Sequence, residues 1–186
     1  MALVVSISLE DIFTRLRSLV LDAVSPSGSP PVAVPVIRGL ANRTSMPPPV
    51  PGFVAMTATL LTQHRTPVEV WDTDNPDPSA IEIEQGQLVR IQLDCYGSAS
   101  ADWATILATI LRSDYACRQF SAGGLDAAPL YADFPVQAPL VNGEQQYEER
   151  WIVGANLQYN PVVSTPMQFA DTLEATLINV DEAFPP

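Results

Sequence analysis

The stretch from Gln87 to Arg112 constrains this chain most, because its two clearest periodicities lie end to end. In Leu88 to Tyr96, Val89, Ile91, Leu93 and Cys95 fall on one side of a period-two pattern and Arg90, Gln92 and Asp94 on the other, the signature of a half-buried strand. Gly97 and Ser98 break the alternation. Ser100 then has the chemistry of a helix N-cap, with Asp102 in the first turn, and Trp103, Ile106, Leu107, Ile110 and Leu111 recur at helical spacing. A strand, a corner and a helix follow, with Trp103, Ile106, Leu107 and Ile110 expected on the sheet face that carries Ile91, Leu93 and Trp151.

The rest of the chain supplies partners for that unit. Ser8 with Asp11 three residues later is a capping box with Asp in place of Glu, and it opens a helix whose stripe is Ile12, Phe13, Leu16, Leu19, Val20 and Ala23. Residues 25–31 read as a loop, and Val32 to Arg38 as a strand that Pro35 places at an edge or makes irregular. After the proline-rich run Met46 to Pro51, a stiff connection or less plausibly a docking motif, Phe53 to Gln63 alternates as a strand with a second long apolar face. Arg65 to Gln85 reads as an acidic excursion between hairpin strands, Gly123-Gly124 marks a turn at the end of Ser113 to Gly124, and Leu125 to Gly143 reads as an irregular surface run. Tyr147 to Asn160 reads as the longest strand and Leu173 to Val180 as the last. The expected fold is α+β: one domain over 1–186, mainly one antiparallel sheet with two principal helices packed on one face.

Charge and composition narrow the function. With 21 Asp and Glu against 9 Lys and Arg, the net charge of −12 argues against holding nucleic acid through its phosphates, although an acidic wall could let a duplex pass. Only 16% of residues are charged, against roughly a quarter in an average soluble protein, and there are 18 prolines. Such a surface suits either a rigid, loop-rich monomer or a subunit covered by neighbours. Cys95 and Cys117 lack a CxxC spacing and read as free thiols from a reducing compartment. The apolar N-terminus is too short for a membrane span and has no basic flank for a signal peptide.

No catalytic or metal-binding pattern stands out. His64, the single histidine, has no adjacent ligand or nucleophile, and Glu82 with Glu84 alternates with isoleucines as an ordinary strand face would. Glu148 and Glu149 are a second acid pair of a common kind. The run Asp72 to Asp77 brushes against a calcium loop but lacks its glycine and terminal glutamate. No cofactor, no metal and no enzymatic role are expected, with the reservation that active sites assemble from distant residues.

Several ordered stretches resemble the neck or tail terminator proteins of tailed bacteriophages. They are Gln92 to Gly97 entering the helix, Pro129-Leu130-Tyr131 with Pro135, Asn142 to Trp151, Gln158 to Pro161, and Gln168-Phe169-Ala170. The resemblance spans about Ile37 to Ala170. It implies a structural virion protein that forms a ring, usually of six, caps the tail tube, ends its polymerisation and joins the tail to head-completion proteins. Tail tube protein, a head-completion or neck protein and, where the tail contracts, tail sheath would be its partners, DNA would pass without specific binding, and no membrane is involved. Assembly would occur in the host bacterial cytoplasm. Alternatives are another head-tail joining or tube-like component, or more remotely a small-molecule-binding or enzymatic domain. In a ring, Leu3, Val4, Val5 and Ile7 are candidates for strand addition to a neighbour rather than to their own chain, or form an ordinary edge or a frayed end. Asp72, Asp74 and Asp77, then Glu82 and Glu84, are candidates for the channel lining, unless their loop projects outward.

Overall fold

In the computed structural model, which describes residues 5–24, 34–40, 45–48, 50–72, 80–141, 143 and 145–166, the elements follow in chain order. They are α1 (Leu9–Val24), β1 (Val36–Arg38), β2 (Phe53–Gln63), β3 (Val68–Asp72), β4 (Ala80–Glu84), β5 (Gln87–Tyr96), α2 (Ser100–Ile110) and α3 (Asp114–Ala122), then β6 (Ala127–Ala132), β7 (Val136–Gln137), β8 (Leu140–Val141), β9 (Tyr147–Glu148), β10 (Arg150–Tyr159) and β11 (Val162–Pro166). The alternation in β5 does what its sequence requires: Val89, Ile91, Leu93 and Cys95 are all buried. That strand is central in the main sheet, whose order is β1-β2-β5-β10-β6 with β7 also on β10. Only the short β1 runs parallel to its neighbour. The fold is α+β, with antiparallel pairing dominant.

The helices cover one face of this sheet. Val54, Met56, Leu93, Val153, Ala155 and Leu157 from three adjacent strands form one cluster with the buried stripes of α1, α2 and α3. The expected capping box is present: Ser8 N donates to Asp11 Oδ2 at 2.8 Å and Asp11 N donates to Ser8 Oγ at 3.2 Å. Two orphan amides are thus satisfied where the helix must begin. Its stripe buries Ile12, Phe13, Leu16, Leu19 and Val20 as expected, and Val24 besides.

Helix α2 is rotated from the expected setting. Ser100 is its first residue, not its cap, and Ala99 holds the N-cap position without a side-chain bond. The buried stripe is Ser100, Ala104, Leu107, Ala108 and then Leu111, so small residues let the helix approach β5 and β10 closely. Ile106 consequently points away and is 39% exposed, while Leu107 is fully buried and Trp103 and Ile110 flank the core. The expected core position of Ile106 is therefore corrected.

Other elements differ for local reasons. Residues 114–122, for which no element is expected from the sequence, form a helix tied by an Asp114–Arg118 pair one turn apart at 2.9 Å, and Ala116 and Phe120 alone are buried from it. Gly123 is its C-cap, and Gly123-Gly124 forms the turn expected of it. The run 125–143 contains three strands; Pro129 is tolerated in β6 because that strand lies at the sheet edge beside a register shift at Asn156/Leu157. Tyr147 and Glu148 belong to a separate two-stranded ladder with β8, which shortens the expected long strand to β10. The expected strand Leu173 to Val180 lies outside the described residues, as do Val32 and Ala33.

A second sheet, of order β11-β4-β3, continues the first. β2 leads to β3, β4 leads to β5 and β10 leads to β11, and each strand keeps the same neighbours across the break. His64 N donates to Gly86 O at 2.9 Å and Gln85 N to Pro161 O at 3.2 Å, which stitches the two sheets together. A three-stranded arm therefore leaves the body. Every residue from Ala58 to Trp71 is exposed, on both faces of its strands, so the second half of β2 does not form the apolar core face expected of it. At about 3.3 Å per residue, the path from Phe53 to Asp72 is at most roughly 65 Å long.

Candidate interaction surface

The sheet face away from the helices holds a polar cluster. Asp94 is buried there, accepting from Arg150 Nε at 3.0 Å and Nη2 at 2.7 Å and from the Gln92 amide at 2.9 Å. Phe53 and Tyr96 stack beside it with ring centroids 4.4 Å apart. A shallow cavity of about 410 Å³ opens over Thr57, Gln92, Asp94, Tyr96 and Arg150. Its charged groups are turned on each other, so the cluster fixes the register of β5 and β10. Farther along, Arg90 pairs with Asp133 across Gly154, where a Cβ would come within 2.4 Å of the Asp133 carboxylate. Glycine at that position lets the pair lie on the sheet.

Five of the nine basic side chains pair with a carboxylate in this way. All nine are arginines. Arg38 pairs with Glu10, Arg65 with Glu84, Arg90 with Asp133, Arg118 with Asp114 and Arg150 with Asp94. Arg17 donates to Val36 O at 3.1 Å. Arg112 is exposed and has no carboxylate partner among the described residues.

Of the candidate channel residues, Glu82 and Glu84 share one face of the arm, where the register places them opposite Val70 and Val68. Glu82 is exposed; Glu84 is half-buried and paired with Arg65. Asp72 ends β3 with its backbone opposite Ala80. Asp74 and Asp77 lie outside the described residues. Of the candidate interface residues, Leu3 and Val4 also lie outside them. Val5 forms an antiparallel bridge to Val163, Ser6 N donates to Val162 O at 2.9 Å, and Ile7 is buried in the core. From Val5 to Ile7, then, the segment folds back on its own chain, as the alternative of an ordinary edge has it and not as strand addition to a neighbour would; satisfying the β11 edge and burying Ile7 both favour this. His64 is exposed at the end of β2.

Two surfaces were not legible as such in the sequence. One is the outer edge of the arm, where Leu60, Leu61, Val68, Val70 and Trp71 are exposed. The adjacent pair Leu60-Leu61, which breaks the alternation of β2, was the available signal. The other lies on the β6 and β7 side, where Leu130, Tyr131, Phe134 and Val136 are exposed. Arg112 sits there with its guanidinium 4.5 Å from both the Tyr131 and Phe134 ring centroids.

Exposed apolar side chains thus lie along the arm and beside β6 and β7. The chain belongs to the phage neck terminator protein family, which matches it over residues 10–182. A comparison with curated proteins found no match. The family is structural and serves the joint between phage head and tail. The match runs through both sheets and all three helices.

Proposed function

We propose that this chain forms a ring, of six copies, which seats on the last ring of the tail tube, ends its polymerisation and offers a surface to the head-completion proteins. The ring is part of the virion and assembles in the host bacterial cytoplasm. The arm carries this reading: it exposes apolar residues on both faces over Ala58 to Trp71, more than a solitary domain leaves bare. Tail tube protein, and sheath where the tail contracts, are its neighbours on one side. Leu3, Val4 and Val5 contribute to contacts between subunits, whereas Ile7 serves the core of its own chain.

The five paired arginines and the net charge of −12 support a channel that DNA crosses without sticking, since each phosphate contact avoided removes a counterion-release gain. Asp72, Asp74 and Asp77, and after them Glu84, are proposed to line it. The direct test is tube growth in vitro. Purified tail tube protein should form tubes of unlimited length alone and short, capped tubes with this chain; unchanged lengths would refute the terminator role. Particles in which Asp72, Asp74 and Asp77 are all lysine should assemble but eject DNA poorly, and normal ejection would remove these residues from the lumen.

A further inference from the structure

We infer that the outer edge of the arm in one copy docks against the β6 and β7 side of a second copy, a head-to-tail contact between two different surfaces; this rests on the ring reading and names where its subunits meet. Three observations carry it. β2 is covered by β1 only at Val54 to Met56, so from Ala58 to Asp72 its outer edge and that of β3 have no strand partner among the described residues. An uncovered strand edge with exposed Val68 and Val70 is a template for pairing with another chain. The opposite margin of the arm, β11, is bridged by the chain's own Val5. The two margins are therefore not equivalent.

The second observation is charge. Glu69 is exposed on β3 itself and Glu82 on the neighbouring β4, where the register puts Glu82 on the face of Val68 and Val70 and Glu69 on the opposite face. On the β6 side, the exposed Arg112 donates to Ala132 O at 2.7 Å and to Tyr131 Oη at 3.0 Å, and has no carboxylate partner among the described residues. In a chain of net charge −12, this guanidinium is a cation without an anion among the described residues, set among exposed aromatic rings. An acidic apolar edge and a cationic aromatic patch are complementary. Third, the surfaces lie on opposite sides of the strand order, because β3 continues β2 while β6 ends the main sheet. Unlike surfaces on opposite sides make a heterologous contact, which repeats from copy to copy and closes as a ring when the rotation allows.

The test uses the full chain and native mass measurement. One variant spoils the arm, Glu69→Arg with Glu82→Arg; another spoils the patch, Arg112→Glu, with Phe134→Asp as its substitute should the loss of the Ala132 bond unfold the chain. Phe134 is 72% exposed, so that variant keeps its fold by circular dichroism. Each variant alone should be monomeric, its association weakened about tenfold or more. An equimolar mixture of an arm variant and a patch variant should give a one-to-one dimer and nothing larger, because each partner keeps one good surface. Combining Glu69→Arg, Glu82→Arg and Arg112→Glu in one chain should restore the ring. Variants that still form wild-type rings, variants that pair with themselves, or patch variants that lose only the tail tube protein would overturn the inference and leave the ring intact. A wild-type chain that stays monomeric would overturn both.

Discussion

Asp94 lies on the polar side of the β5 alternation and is nevertheless buried, because Arg150, opposite Tyr96 in the next strand, reaches across to it with two nitrogens. Removing one member of a buried pair leaves the other charge without compensation, so Asp94→Ala should destabilise the fold by about 3 kcal/mol in a urea titration. A loss below about 1 kcal/mol would show that solvent compensates Arg150. Alternation identified the side on which Asp94 lies. It could not reveal the depth, since that depends on a residue far along the chain. Cys95 was legible as a buried free thiol, and burial, helped by the Asp94 charge, pushes its thiol up to about 12. With the folded value above the unfolded one, its contribution is complete below about pH 9 and is lost as pH rises toward about 12. Comparison with Cys95→Val should remove that part of the alkaline decline; identical curves would contradict the burial effect. In the folded chain at pH 8, a thiol reagent should modify the half-buried Cys117 and spare Cys95.

Helix α2 tests packing at the scale of an element. Leu107→Ala should cost about 2 to 5 kcal/mol, as the loss of a fully buried leucine does, while Ile106→Ala should cost less than about 1 kcal/mol. Equal losses in a denaturant titration would place the helix in the wrong rotation. Helical spacing was legible here, but the choice of face was not: the largest apolar residues suggested Ile106, whereas Ala104 and Ala108 let the backbone approach the sheet. The box at Ser8 and Asp11 was readable because both partners are local in sequence. The Ser8 hydrogen bonds hold the Asp11 carboxyl below its usual range, so what they contribute is present above ordinary carboxylate values and fades as pH falls through the lowered one. The helix α3 escaped notice because it buries only Ala116 and Phe120, too few for a periodic stripe. Strand β6 escaped because Pro129 counts against a strand unless an edge or bulge is known to be there.

At the scale of the whole molecule, the arm was the feature least legible in advance. Its three strands are interrupted at 64–67, at Gln85-Gly86 and at Asn160-Pro161, and each interruption looks locally like a loop. Only the non-local pairing shows that all three cross into a second sheet with their neighbours unchanged. Glu82 and Glu84 were recognised as acids on a strand face, yet the valines beside them come from β3 and made no periodic signal with them. What connects these pieces is the claim that copies of this chain meet edge to edge and close around an opening. Native mass measurement of the purified full chain tests that claim most directly. The account predicts one species at six times the 20.1 kDa of a single chain, stable without added ligand. A mass of 20.1 kDa at the concentrations that support tail assembly, or a two-fold dimer that grows no further, would contradict it.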